Sequence, residues 1–193
     1  MLRRLYAWVM RLAEGPHALL ALVAVSFAES SFFPIPPDTL LIPMVLAQRQ
    51  RAIPLALWCT AASVVGGMFG YAIGSILYES LGKWIVNLYG YGQSVESFRA
   101  TYAAWGAWII LLKGLTPIPY KLVTIASGFA GYNFGLFVLL SIVTRGLRFF
   151  LVAGILSRYG DPIRSVLEKR LEAVALATAM LIVTGFVIVK YVV

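Results

Sequence analysis

Charge, cysteine and histidine are all scarce in this sequence. Only 12% of its 193 residues are charged, about half the share of a soluble globular domain, which argues against an ordinary solvated surface. Cys59 is the single cysteine and lies in an apolar run, so there is no disulfide framework and no thiol set for a metal; it reads as buried and inert. His17 is the single histidine and lies near the start of the first apolar run, well before Glu29, which speaks against a histidine nucleophile. No cluster of carboxylates suggests a metal centre. Neither a metal nor a cofactor is therefore expected, and the chain does not read as an enzyme. Acids number eight against sixteen bases, a formal net charge of +8. Those bases sit in short connections between apolar runs, not on one soluble face, so a nucleic-acid partner is not indicated.

Apolar residues are abundant: 61% of the chain is hydrophobic, with a mean hydropathy of +0.86. Several runs approach the roughly 20 residues needed to cross a hydrocarbon core, the last being Ala173 to Val193. The expectation is an all-α integral membrane protein forming a single membrane domain over residues 1–193. Within it, residues 1–14 place Arg3, Arg4 and Arg11 around Leu2, Leu5, Trp8, Val9 and Leu12, the pattern of an interfacial amphipathic helix. No small-residue cleavage site follows cleanly and Glu29 breaks the next apolar run, so this segment is read as retained, not as a signal peptide.

Residues 15–79 form a first unit. His17 to Phe33 is apolar, is stopped by Pro34, Pro36 and Pro37, and resumes over Thr39 to Ala47, a stretch too short to span. Broken half-helices at membrane depth must be covered by protein or line a wet cavity, so the segment is expected to be a re-entrant helical hairpin. A long apolar helix, Ile53 to Tyr78, follows. After a more polar connection over 80–102, residues 103–157 repeat the plan: an apolar run, a break at Pro117 and Pro119, a half-length run, and a spanning helix from Asn133 to Ser157. Superposing Pro34-Ile35-Pro36 on Pro117-Ile118-Pro119 needs an offset of 83, which brings Asp38 onto Lys121. Residues 158–193 complete the chain as a charged connection and a C-terminal transmembrane helix.

One returning hairpin plus one crossing gives each unit an odd number of crossings. The second unit then enters upside down, as an inverted repeat of the kind found in transporters. Orientation supplies a second argument. With the N-terminus cytoplasmic, nine bases (Arg3, Arg4, Arg11, Arg49, Arg51, Arg158, Arg164, Lys169, Arg170) face inward and three (Lys83, Arg99, Lys190) outward, the expected bias.

The remaining bases, Lys113, Lys121, Arg145 and Arg148, lie with Glu29 and Asp38 in segments that should be embedded. Ionisable groups at that depth pair or face water. The six are expected to meet in one water-accessible pocket with a surplus of two positive charges, which an anion would complement. Arginine suits phosphate through its fixed fork of donors. Lys113, Lys121, Arg145 and Arg148 are thus the candidate substrate-binding residues for an anionic lipid phosphate, and Glu29 and Asp38 the candidate proton carriers. The competing expectation is that the two acids simply neutralise two of the bases and hold the hairpins in place.

Glu29 with Phe33-Pro34-Ile35-Pro36-Pro37-Asp38, then Lys113-Gly114-Leu115-Thr116-Pro117-Ile118-Pro119-Tyr120-Lys121, Gly128 and Arg145, resembles the DedA family, also called the VTT or SNARE-associated domain family, in its shorter YqaA-like branch. The resemblance runs from about Gly15 to Ser157. It implies a bacterial inner-membrane protein with two opposed re-entrant hairpins, moving undecaprenyl phosphate or a phospholipid at the expense of the proton motive force. Lys113 and Lys121 depart from it, standing where arginines are common. Two alternatives stay open, a membrane scaffold without a defined substrate and a lipid-phosphate enzyme, and homo-oligomerisation is left undecided.

Overall fold

The computed structural model describes residues 15–169 except Pro34 and residues 116–118; the side chains of residues 113–115 and 161–169 lie outside that description too. The amphipathic helix expected at 1–14, the C-terminal helix expected beyond 170, and the breaks at Pro34 and Pro117 therefore fall outside the described residues.

Among the described residues the chain is all helical. In order it forms α1 (Ala18–Ser31), α2 (Asp38–Ala47), a 3-10 turn (Arg49–Arg51), α3 (Ala52–Leu77), a π turn (Tyr78–Gly82), α4 (Lys83–Tyr89), α5 (Gly92–Leu115), α6 (Tyr120–Ala130) and α7 (Phe134–Lys169, with non-helical backbone at Tyr159). Proline punctuates both repeats by removing amide donors and biasing the preceding residue away from helix. After the first break, the amides of Thr39, Leu40 and Leu41 bond back to the carbonyls of Pro36 and Pro37 and start α2. After the second, Leu122 bonds to Pro119 and starts α6. Gly131 ends α6 with φ +67°, and the amides of Gly131 and Tyr132 close onto Gly128 and Ser127, the Schellman arrangement that only a residue tolerating left-handed backbone completes without strain.

Helix directions follow from which residues touch. Ser26, Ser30 and Ser31 of α1 bond to Cys59, Ser63 and Gly66 of α3 at 2.7, 2.7 and 2.9 Å, so α1 and α3 run parallel. The intervening α2 must run back, and its end shares a cleft with the starts of α1 and α3. In the second repeat, Arg99 and Tyr102 of α5 bond to Ala130 and Ser127 of α6 at 3.0 and 2.8 Å, an antiparallel register. The long helices α3 and α7 are antiparallel, since Ser63 meets Arg145 at 2.6 Å while the Tyr71 and Phe134 rings meet at 5.2 Å. Across the repeats, α6 packs parallel to α3, from Tyr120 against Gly67 to Phe129 against Tyr78. In the mirrored contact α2 packs parallel to α7, from Asp38 against Arg148 to Arg49 against Gly160. The first repeat thus runs forward, back, forward and the second back, forward, back, with each returning half-helix seated on the long helix of the other repeat.

The connection read as 80–102 differs from expectation. It is itself helical, and α5 begins at Gly92, eleven residues before the expected start at Ala103. No proline interrupts this stretch, and the one left-handed glycine, Gly90 at φ +70°, breaks it once.

Polarity is arranged inside out. Ser26, Ser30, Ser31, Thr60, Ser63, Thr124, Ser127, Ser141, Thr144 and Arg145 are buried, whereas Leu136, Leu139, Val143, Leu147, Leu151 and Ile155 of α7 form a stripe that is each about half exposed. Two helical stretches, Arg49–Tyr89 and Phe134–Gly160, are long and apolar enough to cross a membrane.

Three close backbone contacts hold α3 in place. A Cβ on Gly66 would overlap the Phe27 carbonyl of α1, one on Gly74 the Ile125 carbonyl of α6, and one on Gly128 the Tyr71 carbonyl of α3. Side chains there would push whole helices apart, while Gly154 has open space around it. Gly74→Val and Gly128→Val should each lower stability by about 1–3 kcal/mol, the usual result of overpacking, while Gly154→Ala should be neutral or stabilising; equilibrium unfolding of the purified variants measures the contrast.

Candidate functional site

Two acid–arginine pairs form where the two broken segments meet. Arg145 projects from α7 and is 2% exposed. Its Nη2 donates to Glu29 Oε2 of α1 at 2.7 Å and its Nε donates to Ser63 Oγ of α3 at 2.6 Å. Ser63 and Ser30 hydroxyls share a 2.7 Å bond, and Ser30 donates to Glu29 Oε2 at 3.3 Å. Because Ser30 has one proton and spends it on Glu29, Ser63 must donate to Ser30, and the four groups close a ring. The guanidinium carbon also lies 4.7 Å from the ring centres of both Tyr120 and Phe149. A cation held by a carboxylate, a hydroxyl and two aromatic faces retains its charge without water.

One helical turn further along α7, Arg148 Nη2 donates to Asp38 Oδ2 in the first turn of α2 at 2.5 Å. This pair is looser: Arg148 is 29% exposed and Asp38 19%. Asp38 Oδ1 is buried and has no hydrogen-bond partner among the described residues. The two arginines are three apart and share a face, yet one is sealed and the other reachable from outside.

The second break meets this centre from the other side. Tyr120, buried at the start of α6, covers Arg145 with its ring and bonds through its hydroxyl to Ser141 of α7. Thr124 Oγ1 sits between the carbonyls of Ser30 and Lys121, at 3.2 and 2.9 Å, so the end of α1 touches the first turns of α6. Ser63 is eleven residues into α3, which places the centre about 17 Å along a helix about 39 Å long.

Of the six expected site residues, the structure brings Glu29, Asp38, Arg145 and Arg148 together. Lys121 is half-buried one residue from Tyr120, and no described ion pair includes it. Lys113 lies near the end of α5, with its side chain outside the described part. Pro36, Pro37 and Pro119 stand at the breaks as expected. Where a pocket with surplus positive charge was expected, Arg145 and Arg148 are each paired with a carboxylate, and the described clefts lie elsewhere. Any surplus comes from the lysines.

Ser30, Ser63 and Thr124 were not picked out from the sequence, and Tyr120 was named only as part of the motif from Lys113 to Lys121. The signal available was a hydroxyl recurring at helical spacing inside apolar runs, Ser26 and Ser30 in α1 and Thr60 and Ser63 in α3, which marks a polar seam between packed helices.

The chain is 33% identical over 189 residues to an uncharacterized protein of Haemophilus influenzae, covering 96% of each. It is 32% identical over 186 residues to an uncharacterized homologue from Histophilus somni, covering 96% of this chain and 97% of that one. The chain belongs to the family of these proteins. The match spans essentially the full length of each. No family model matches the chain, and no solved structure matches it.

The unequal burial of the two pairs predicts unequal energetics. Arg145→Met should destabilise the protein by about 3–5 kcal/mol, the cost of leaving a buried carboxylate unpaired, and adding Glu29→Met should recover most of it. Arg148→Met should cost about 1 kcal/mol. Unfolding curves for the single and double variants test the order, which fails if Arg148 proves the costlier residue.

Proposed function

We propose that the protein is a multi-pass carrier of the bacterial inner membrane that moves an anionic, phosphate-bearing lipid across the bilayer, coupled to protons. The observation that carries this reading is the pair of acid–arginine contacts at mid-length of two antiparallel, apolar, span-length helices, met by broken segments from opposite directions. The inside-out distribution of polarity supports a bilayer as solvent, because a soluble monomer seldom exposes an apolar stripe of that extent and hydroxyl-rich interiors serve helix packing in lipid. Inverted repeats with breaks at the midplane support alternating access. The resemblance to the DedA family supports undecaprenyl phosphate or a phospholipid as the cargo.

The two pairs divide the labour. Arg145 and Glu29, sealed with Ser30, Ser63 and Tyr120, hold the two repeats in register. Arg148 and Asp38, half reachable, are the exchanging pair. A proton arriving on Asp38 Oδ1, the acceptor without a partner among the described residues, removes the charge that holds Arg148. The Arg148 guanidinium is then free to take two phosphate oxygens through its parallel N–H donors, with Lys121, at the start of α6, as a further positive charge. When the proton leaves Asp38, the carboxylate competes for Arg148 again and the phosphate is released. Cargo and carboxylate therefore alternate on one cation, which links the lipid's movement to the proton's.

Proteoliposomes carrying a fluorescent phosphate lipid and an imposed pH gradient test this. Wild-type protein should expose the lipid to an external quencher faster with the gradient than without it. Arg148→Ala should slow exposure by about tenfold or more, the loss of a charge-assisted phosphate contact. Asp38→Asn should leave a rate that no longer responds to the gradient. A folded Arg148→Ala protein with wild-type activity would replace the carrier by the scaffold reading. A C-terminal reporter active only in the cytoplasm would overturn the orientation, which puts the N-terminus inside and the C-terminus outside.

A further inference from the structure

The end of the molecule where α1 and α3 begin and α2 finishes holds an amphipathic cleft of about 410 Å³, within the size range of small-ligand sites, about 300–1,000 Å³. Leu19, Met44, Leu55 and Trp58 give it apolar walls, and Gln48 and Arg51 stand among its lining residues. Arg51 is exposed and no described ion pair includes it. Among the carboxylates whose side chains are described, Glu29 and Asp38 are each ten residues away along their helices, and Glu79 and Glu96 belong to the opposite end, where α3 finishes and α5 begins; Asp161 follows Gly160 on α7 with its side chain outside the description. Arg49 is close by, against Gly160 of α7, and Arg158 is exposed on α7 near the same end.

We infer that this cleft is a binding site for an acidic phospholipid of the surrounding leaflet, separate from the carrier centre. Its walls take the upper part of an acyl chain beside Trp58, whose amphipathic ring suits the boundary between headgroup and hydrocarbon. Arg51 and Gln48 take the phosphate oxygens. A zwitterionic headgroup would bring a cation against Arg51 and bind less well. The occupied site bridges the start of α1, the end of α2 and the start of α3, so the lipid fixes the open end of the first hairpin. The inference rests on the membrane reading and not on transport.

The test uses a protein in which Trp58 is the only tryptophan, Trp8, Trp84, Trp105 and Trp108 being replaced by Phe, in detergent micelles doped with brominated phosphatidylglycerol or brominated phosphatidylcholine. Quenching of Trp58 should half-saturate at an about fivefold lower mole fraction of phosphatidylglycerol, the effect of one basic side chain at an anionic surface. Arg51→Gln should abolish that preference and Arg51→Lys should keep most of it. In the otherwise unaltered protein, phosphatidylglycerol retained through gel filtration and counted by mass spectrometry should fall in Arg51→Gln, a readout independent of the tryptophan replacements. Equal quenching by both lipids, a preference that survives Arg51→Gln, or displacement by soluble glycerol phosphate would each overturn the inference. Arg148→Ala should leave the preference intact, so a failed carrier and a failed lipid site give different results.

Discussion

A guanidinium with 2% of its surface exposed, surrounded by apolar helices, is tolerable only if the protein neutralises it on the spot. Removing a cation from water costs several kcal/mol even after relaxation, and attraction offsets that only with a well-placed anion and satisfied donors. Arg145 belongs to the second repeat, while its carboxylate, Glu29, and its hydroxyl, Ser63, belong to the first. The electrostatic requirement of one side chain therefore becomes a tie between the two halves of the fold. Tyr120 adds the start of α6 to the same point, so three elements of different repeats converge on the residue that can least afford to lose them.

Geometry at that tie depends on glycine. The ring of Arg145, Ser63, Ser30 and Glu29 requires α1 and α3 close enough for serine hydroxyls to meet, and Gly66 permits it by letting the Phe27 carbonyl lie against α3. Gly74 and Gly128 do the same between α3 and α6. Helices packed at this distance bring short polar side chains within bonding range, which suits the serines and threonines found at these seams.

Crossed seating of the half-helices gives the arrangement its mechanical character. Because α2 rests on α7 and α6 on α3, a tilt of one repeat against the other carries each half-helix with the opposite long helix. The contact of Arg148 with Asp38 lies between α7 and the half-helix seated on it, whereas Arg145 with Glu29 and Ser63 ties α7 to α1 and α3. Similar chemistry thus occurs at two neighbouring sites, and solvent exposure is what separates them.

Much of this was legible in the residue order. Proline breaks at Pro36, Pro37 and Pro119, the 83-residue offset, the half-length runs and the embedded charges Glu29, Asp38, Arg145 and Arg148 all express local rules: proline removes donors, short apolar runs make short helices, and a charge in an apolar run must find a partner. Residues 80–102 were read only as a polar connection, and the structure makes them helical because nothing in the stretch but Gly90 stops a helix. Which acid meets which arginine, and that the meeting leaves no free positive charge on either arginine, was decided only by the tertiary structure. Glu29 and Arg145 are 116 residues apart, and Asp38 and Arg148 are 110. Pairing over such separations is set by how helices seat on glycine and serine seams, a three-dimensional register that no periodicity in the chain encodes. The sequence by itself determined that the charges had to be answered, because burying them alone costs too much; only the packing decided by which residues.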